Sequence, residues 1–155
     1  MNDNENVFEK NYTTLNGTKI EYSTTQDGTY TRIPGLRSVP DIGGEPNTID
    51  TTDLDNTEYE TSMYGLKPAQ NYTLEFNMQN PRDELEANIK LCDELETSGL
   101  PYYWKLTYTN GITVSFKSKV KTTILGGNSG DLLGYQVHLA PMNEVERTIT
   151  ENTSL

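Results

Sequence analysis

The sequence predicts a mainly β, α+β fold: a β-sandwich or flattened barrel of antiparallel strands, with one flanking α-helix at about residues 82–97, a long loop and terminal arms. Three observations predict it. Tyr72, Leu74, Phe76 and Met78 alternate with Thr73, Glu75 and Asn77, the period-two pattern of a strand with one buried and one wet face. Leu85, Ile89, Cys92 and Leu95 then recur at spacings of four, three and three, which lines one helix face with apolar groups. Finally, two alternating runs flank Asn110-Gly111, a hairpin turn signal.

Residues 1–16 are polar and aperiodic, which reads as a flexible N-terminal arm. Thr18 to Ser23 alternates around Ile20 and Tyr22, Asp27-Gly28 supplies turn chemistry, and Thr29 to Ile33 resumes the β pattern, so a first hairpin is expected. Turn residues dominate from Pro34 to Pro46, followed by a short strand at Thr48 to Thr52 and a polar, turn-like stretch from Asp53 to Lys67. Asn80-Pro81 supplies a cap and a first-turn proline for the helix, with Asp83 placed to bond back toward the cap; Gly99 and then Pro101 stop it.

After the helix, Tyr102, Trp104, Leu106 and Tyr108 meet Ile112, Val114 and Phe116 across the turn. A two-residue Asn-Gly loop would put the two apolar sets on opposite faces. A three-residue loop of Thr109, Asn110 and left-handed Gly111 pairs Tyr108 with Ile112, Leu106 with Val114 and Trp104 with Phe116, and that is the expected register. Ser118 to Ile124 extends the second strand, with Lys117, Lys119 and Lys121 on its other face. Residues 126–130 read as a loop, and Leu132 to Ala140 as a strand around Leu133, Tyr135, Val137 and Leu139 that Pro141 ends. The chain closes in a C-terminal arm from about 142 to 155, whose β-prone Val145 to Thr150 suits an edge strand.

Length and composition limit what such a fold does. At 155 residues, one domain spanning 1–155 is expected. Only 33% of residues are hydrophobic, and ten Tyr stand against three Phe and one Trp, a balance that favours amphipathic contacts with partners. The 23 Asp and Glu against 12 Lys and Arg give a net charge of -11, which argues against long-range attraction to DNA. One cysteine, Cys92, excludes an internal disulfide and reads as a core thiol. The first ten residues have neither a basic nor an apolar leader region, and no apolar run approaches a membrane span, so cytoplasmic synthesis without a membrane is expected.

Phosphate loops, zinc spacings and dinucleotide fingerprints are missing from the sequence, and the lone His138 sits in a strand, where a structural role is expected. Asp50, Asp53 and Asp55 have oxygen-ligand spacing, but the glycine and terminal glutamate of a calcium loop are missing. No catalytic residue, cofactor or metal is therefore expected. A carbohydrate-binding, lectin-like β-sandwich is the alternative reading, because aromatic faces stack on sugar rings.

The run Ser38 to Leu54, SVPDIGGEPNTIDTTDL, lies between the upstream Ile33-Pro34-Gly35-Leu36-Arg37 and the downstream Met63-Tyr64-Gly65-Leu66. With them it resembles the signature region of the major tail tube protein of long, non-contractile-tailed bacteriophages. The order of elements agrees over roughly residues 15 to 140: a first hairpin, a Gly/Pro turn, an acidic Thr-rich stretch, an aromatic strand, a helix and a hairpin. The resemblance implies a non-enzymatic virion protein that closes into hexameric rings, stacked into a tail tube that conducts DNA at ejection. It implies partners that are other copies of the chain and the tape measure, tail terminator and distal tail proteins. It also implies a place in the virion tail after synthesis in the host cytoplasm. The inter-ring contacts are expected from Val39, Pro40, Asp41, Gly43, Gly44, Pro46, Thr52, Leu54, Tyr64 and Gly65. The lumen is expected to be net negative, with Lys117, Lys119 and Lys121 away from it or paired.

Overall fold

The computed structural model describes residues 12–44, 46–66, 70–80 and 87–149. The first hairpin forms as expected, from β1 (Lys19–Ser23) and β2 (Thr31–Ile33), with Ile20 opposite Ile33. β3 (Leu36–Ser38) follows within the stretch read as turns, and β4 (Thr48–Asp50) pairs with β5 (Ser62–Tyr64) in a small separate sheet. The aromatic strand is β6 (Tyr72–Asn77), whose residues alternate buried and half-buried. After helix α1 (Asn88–Ser98) come β7 (Tyr102–Thr107), β8 (Ile112–Ile124), β9 (Gly134–Pro141) and β10 (Glu146–Ile149).

Among the described residues, eight strands form one antiparallel sheet in the order β2-β1-β7-β8-β9-β6-β3, with β10 branching from β8. The sheet curls into a half-barrel. The branch arises because β8 is 13 residues long and changes partners along its length. Residues 113–118 pair with β7 on one side, while the other side pairs with β10 over 112–115 and with β9 over 118–124. The β7–β8 hairpin has the expected register, with Trp104 opposite Phe116 and Leu106 opposite Val114. Its turn bonds the Tyr108 N–H to the Ile112 carbonyl at 2.8 Å, and Gly111 takes φ 90, a conformation that glycine adopts without Cβ strain.

The concave face holds the core. Ile20, Ile33, Leu74, Phe76, Trp104, Leu106, Val114, Phe116, Val120, Tyr135, Val137 and Leu139 are all buried there. Phe76 stacks on Tyr135 with ring centres 5.1 Å apart, and the Trp104 indole N–H donates to the Ser118 carbonyl at 3.0 Å, satisfying the ring's one polar group. Ile89, Cys92 and Leu95 of α1 complete the core, so the helix lies on the sheet by the stripe that predicted it. Gly99, at φ 66, caps its C-terminus in the left-handed conformation.

Three boundaries differ from expectation. Ala87 is extended, at φ -55 and ψ 134, so the helix seen here starts at Asn88 and not at residue 82; Pro81, Asp83 and Leu85 lie outside the described residues. The start is set by Asn88, which is fully buried. Its Nδ2 donates to the carbonyls of Pro34 and Asn77 at 2.9 and 2.8 Å, and its Oδ1 accepts the Gln79 N–H at 3.1 Å. β9 begins at Gly134, leaving Leu132 and Leu133 exposed, because Gly134 is where pairing with β6 starts. β4 ends at Asp50, short of Thr52, since the Asp50 carboxylate turns back to accept the Thr52 N–H.

Candidate assembly surface

The stretch from 39 to 66 divides into two parts. Residues 39–44 form a strap against the half-barrel: Val39 and Ile42 pack on the core, and the Gly43 N–H donates to the Tyr72 hydroxyl at 3.2 Å. Pro40 is half-buried, Asp41 and Gly44 are exposed, and Gly44 approaches the Gln70 amide so closely that a Cβ would stand 2.6 Å from it. Asp41 lies near Tyr108, whose hydroxyl pKa is raised by burial and then by that carboxylate. Strap, β7–β8 turn and β10 enclose an open groove of about 1040 Å³, with Ile42, Tyr72, Ile112 and Val145 among its walls.

Residues 47–66 form an arm built on β4 and β5. Its register sets Thr48 opposite Tyr64 and Ile49 opposite Met63, and every residue from 47 to 64 is exposed. A lone two-stranded sheet has little to hold it, so polar rungs do the work. The Thr51 N–H donates to the Thr61 carbonyl at 2.9 Å, and the Thr61 N–H donates to the Thr52 hydroxyl at 2.8 Å. At the tip, Asp53 accepts the Asp55 N–H at 3.0 Å, and Asn56 accepts the Asp53 N–H at 2.9 Å. The Thr52 hydroxyl and N–H hold the Asp50 carboxyl below its ordinary pKa. These aspartates act as turn caps, and among the described residues no group of three or more His, Cys, Asp or Glu is arranged to hold a metal ion.

The expected contact residues thus fall into two sets. Val39, Pro40, Asp41, Gly43 and Gly44 belong to the strap, while Thr52, Leu54, Tyr64 and Gly65 belong to the arm, with half-buried Pro46 at its foot. Leu54 is wholly exposed, and Tyr59, Tyr64 and Leu66 are more than 70% exposed, at 80%, 74% and 86%. Sequence reasoning passed over Ile49, Tyr59, Met63 and Leu66. Their signal is apolar residues in a stretch with no buried face to put them on.

The convex face of the sheet carries a row of lysines along β7 and β8, with Glu21, Glu75 and Glu146 on the same face. Register places Lys105 beside Ser115, Lys117 beside Tyr103, Lys119 beside Ala140 and Lys121 beside His138, all on the side away from the core. Lys105 lies 4.2 Å from the Tyr30 ring centre and Lys117 lies 5.4 Å from that of Tyr103. His138 is held between the hydroxyls of Thr73 and Thr123 at 3.1 and 2.9 Å. No helix of the described residues is long and apolar enough to cross a membrane.

The fold is similar to that of chains from solved tail and tube assemblies. A chain from the tail of an empty gene transfer agent (GTA) particle, determined with C6 symmetry, matches at TM-score 0.63 and 15% identity, covering 84% of this chain and 94% of that one. A chain of the PVC extracellular contractile injection system, from its sheath/tube terminator in the extended state, matches at TM-score 0.68 and 15% identity, covering 88% and 96%. The SPP1 tail tube matches at TM-score 0.57 and 9% identity, covering 88% and 78%. No family model and no curated protein matches the sequence.

Proposed function

We propose that the protein is a structural tail tube subunit: copies close into sixfold rings, the rings stack into a hollow tube, and DNA passes through its lumen without being bound. The observation that carries this is an arm whose apolar side chains are left largely exposed within the subunit, attached to a fold shared with tail and tube chains. Such a surface becomes stable when a neighbouring copy covers it. The strap and arm make the contacts between rings, with Val39 to Pro46 fixing the angle at which the arm leaves the barrel. The open outer edges of β2 and β3 are available for pairing between copies, which would answer the exposure that sheet edges otherwise present.

On this reading the protein has no catalytic role, and the tape measure, tail terminator and distal tail proteins are its other partners. The segments 1–16 and 142–155 add contacts between copies, β10 having already joined the latter to the sheet as an edge strand. The lumen is net negative, so that phosphate is repelled, with the lysines of β8 away from it or paired.

Electron microscopy of the purified protein tests the reading: tubes or stacked rings are expected. Deleting residues 43–46, which join strap to arm, is expected to leave a folded subunit and abolish tubes. A wild type that stays monomeric and binds a glycan array would replace the proposal with the lectin-like alternative.

A further inference from the structure

We infer that the lysine row of β8 on the convex face of the sheet is the docking surface for the acidic arm of a second copy of this chain, a deepening that rests on the tail tube reading. The argument is one of charge distribution. In a protein with 23 acids and a net charge of -11, lysines normally find carboxylates nearby. Here the described residues contain two ion pairs, Lys19 with Glu21 at 3.9 Å and Arg37 with Glu75 at 3.7 Å, and both are within this sheet. Lys105, Lys117, Lys119 and Lys121 are left with no carboxylate in ion-pair range among those residues, although Glu21 stands directly opposite Lys105 and Glu146 opposite Ser115 on the same face, so Lys119 and Lys121 are the furthest of the four from any of these acids in the register. Lys119 and Lys121 are exposed.

The missing counter-charge is on the arm. Asp50, Asp53, Asp55, Glu58 and Glu60 are all exposed, and no Lys or Arg occurs from 48 to 66. The subunit therefore has an acidic projection and, on a different element, a lysine-bearing plate along β8. An arm fitting the plate of the next copy makes a heterologous, head-to-tail contact, the kind that propagates into rings or filaments. Opposite potentials also steer the encounter and reject wrong registers. Leu54 and Tyr59, which lie among those acids, would supply the apolar part of the contact.

Two charge reversals and a cross-link test this. Lys119→Glu with Lys121→Glu, and separately Asp53→Lys with Asp55→Lys, are each expected to raise the concentration needed for assembly by about tenfold, and placing all four in one chain to restore it. Carbodiimide treatment of mixed light and heavy isotope-labelled protein is expected to join arm acids to these lysines between chains. Cross-linked dimers without tubes would support the docking and remove the tail tube reading. Tubes that form unchanged from both reversals, without those cross-links, would overturn the docking and leave the tube reading standing. Cross-links running instead to Asp93, Glu94 or Glu96 of α1 would overturn it, as would DNA retardation that Lys119→Glu with Lys121→Glu abolishes while assembly is unchanged. A wild type that neither assembles nor cross-links would overturn both.

Discussion

Asn88 joins three parts of the chain through one side chain, tying the Pro34 turn and the end of β6 to the first residue of α1. Gly35 permits the approach: at φ 87 it lies where a Cβ would stand 2.7 Å from the Asn88 amide nitrogen. Asn88→Ala would remove the partner of two carbonyls and of the Gln79 and Ile89 N–H groups in a buried site, and is expected to lower unfolding free energy by about 3 kcal/mol in urea titration of the subunit. Nothing in the local sequence announces this role, because the Pro34 partner is 54 residues away and Asn88 lies in a polar stretch of the helix pattern. Cys92 was legible, since its place on the apolar stripe puts it in the core. Burial pushes its thiol pKa up from 9.0 to about 11, so the folded state keeps a proton that the unfolded state sheds. The stabilisation is therefore complete below pH 9 and lost as pH rises toward about 11. The stability advantage of wild type over Cys92→Ala is expected to shrink across that interval, by at most about 3 kcal/mol.

At the scale of elements, α1 does more than cover the core. Glu96 accepts the backbone N–H of Thr122 at 2.9 Å and its hydroxyl at 2.6 Å, occupying β8 beyond the point where β7 ends. A carboxylate thus stands in for a missing strand at that edge. Glu96→Ala is expected to cost about 2 kcal/mol and to speed amide exchange at Thr122 while leaving Val114 protected. The long elements were readable because alternation repeats over enough residues to leave one solution: only a three-residue turn aligns Trp104 with Phe116. β3 and β5 were not, since three residues carry too little pattern and each depends on a partner strand that local sequence does not name. The helix start was misread for a related reason, as Asn80-Pro81 has cap chemistry while the first turn seen here is held by long-range bonds to Asn88.

For the whole molecule, the density of turn residues in 39–46 showed where the chain leaves the barrel, but not that a strap stays behind while an arm projects. That division depends on Val39 and Ile42 reaching the core, a contact made in three dimensions. The lysine row was partly visible as Lys117, Lys119 and Lys121 on one side of a strand; Lys105 joins them only through the pairing of β7 with β8. The arm and the core are thus separate surfaces, the arm being exposed from 47 to 64 and the core lying within the half-barrel. Trp104 exploits that separation. It is the chain's one tryptophan, fully enclosed and hydrogen-bonded to Ser118, and it shares no element with the arm. Its emission is consequently an internal gauge of the subunit's integrity: on the proposed function, an arm variant that forms no tubes but keeps its fluorescence has lost a contact between copies, whereas one with red-shifted fluorescence has lost its fold.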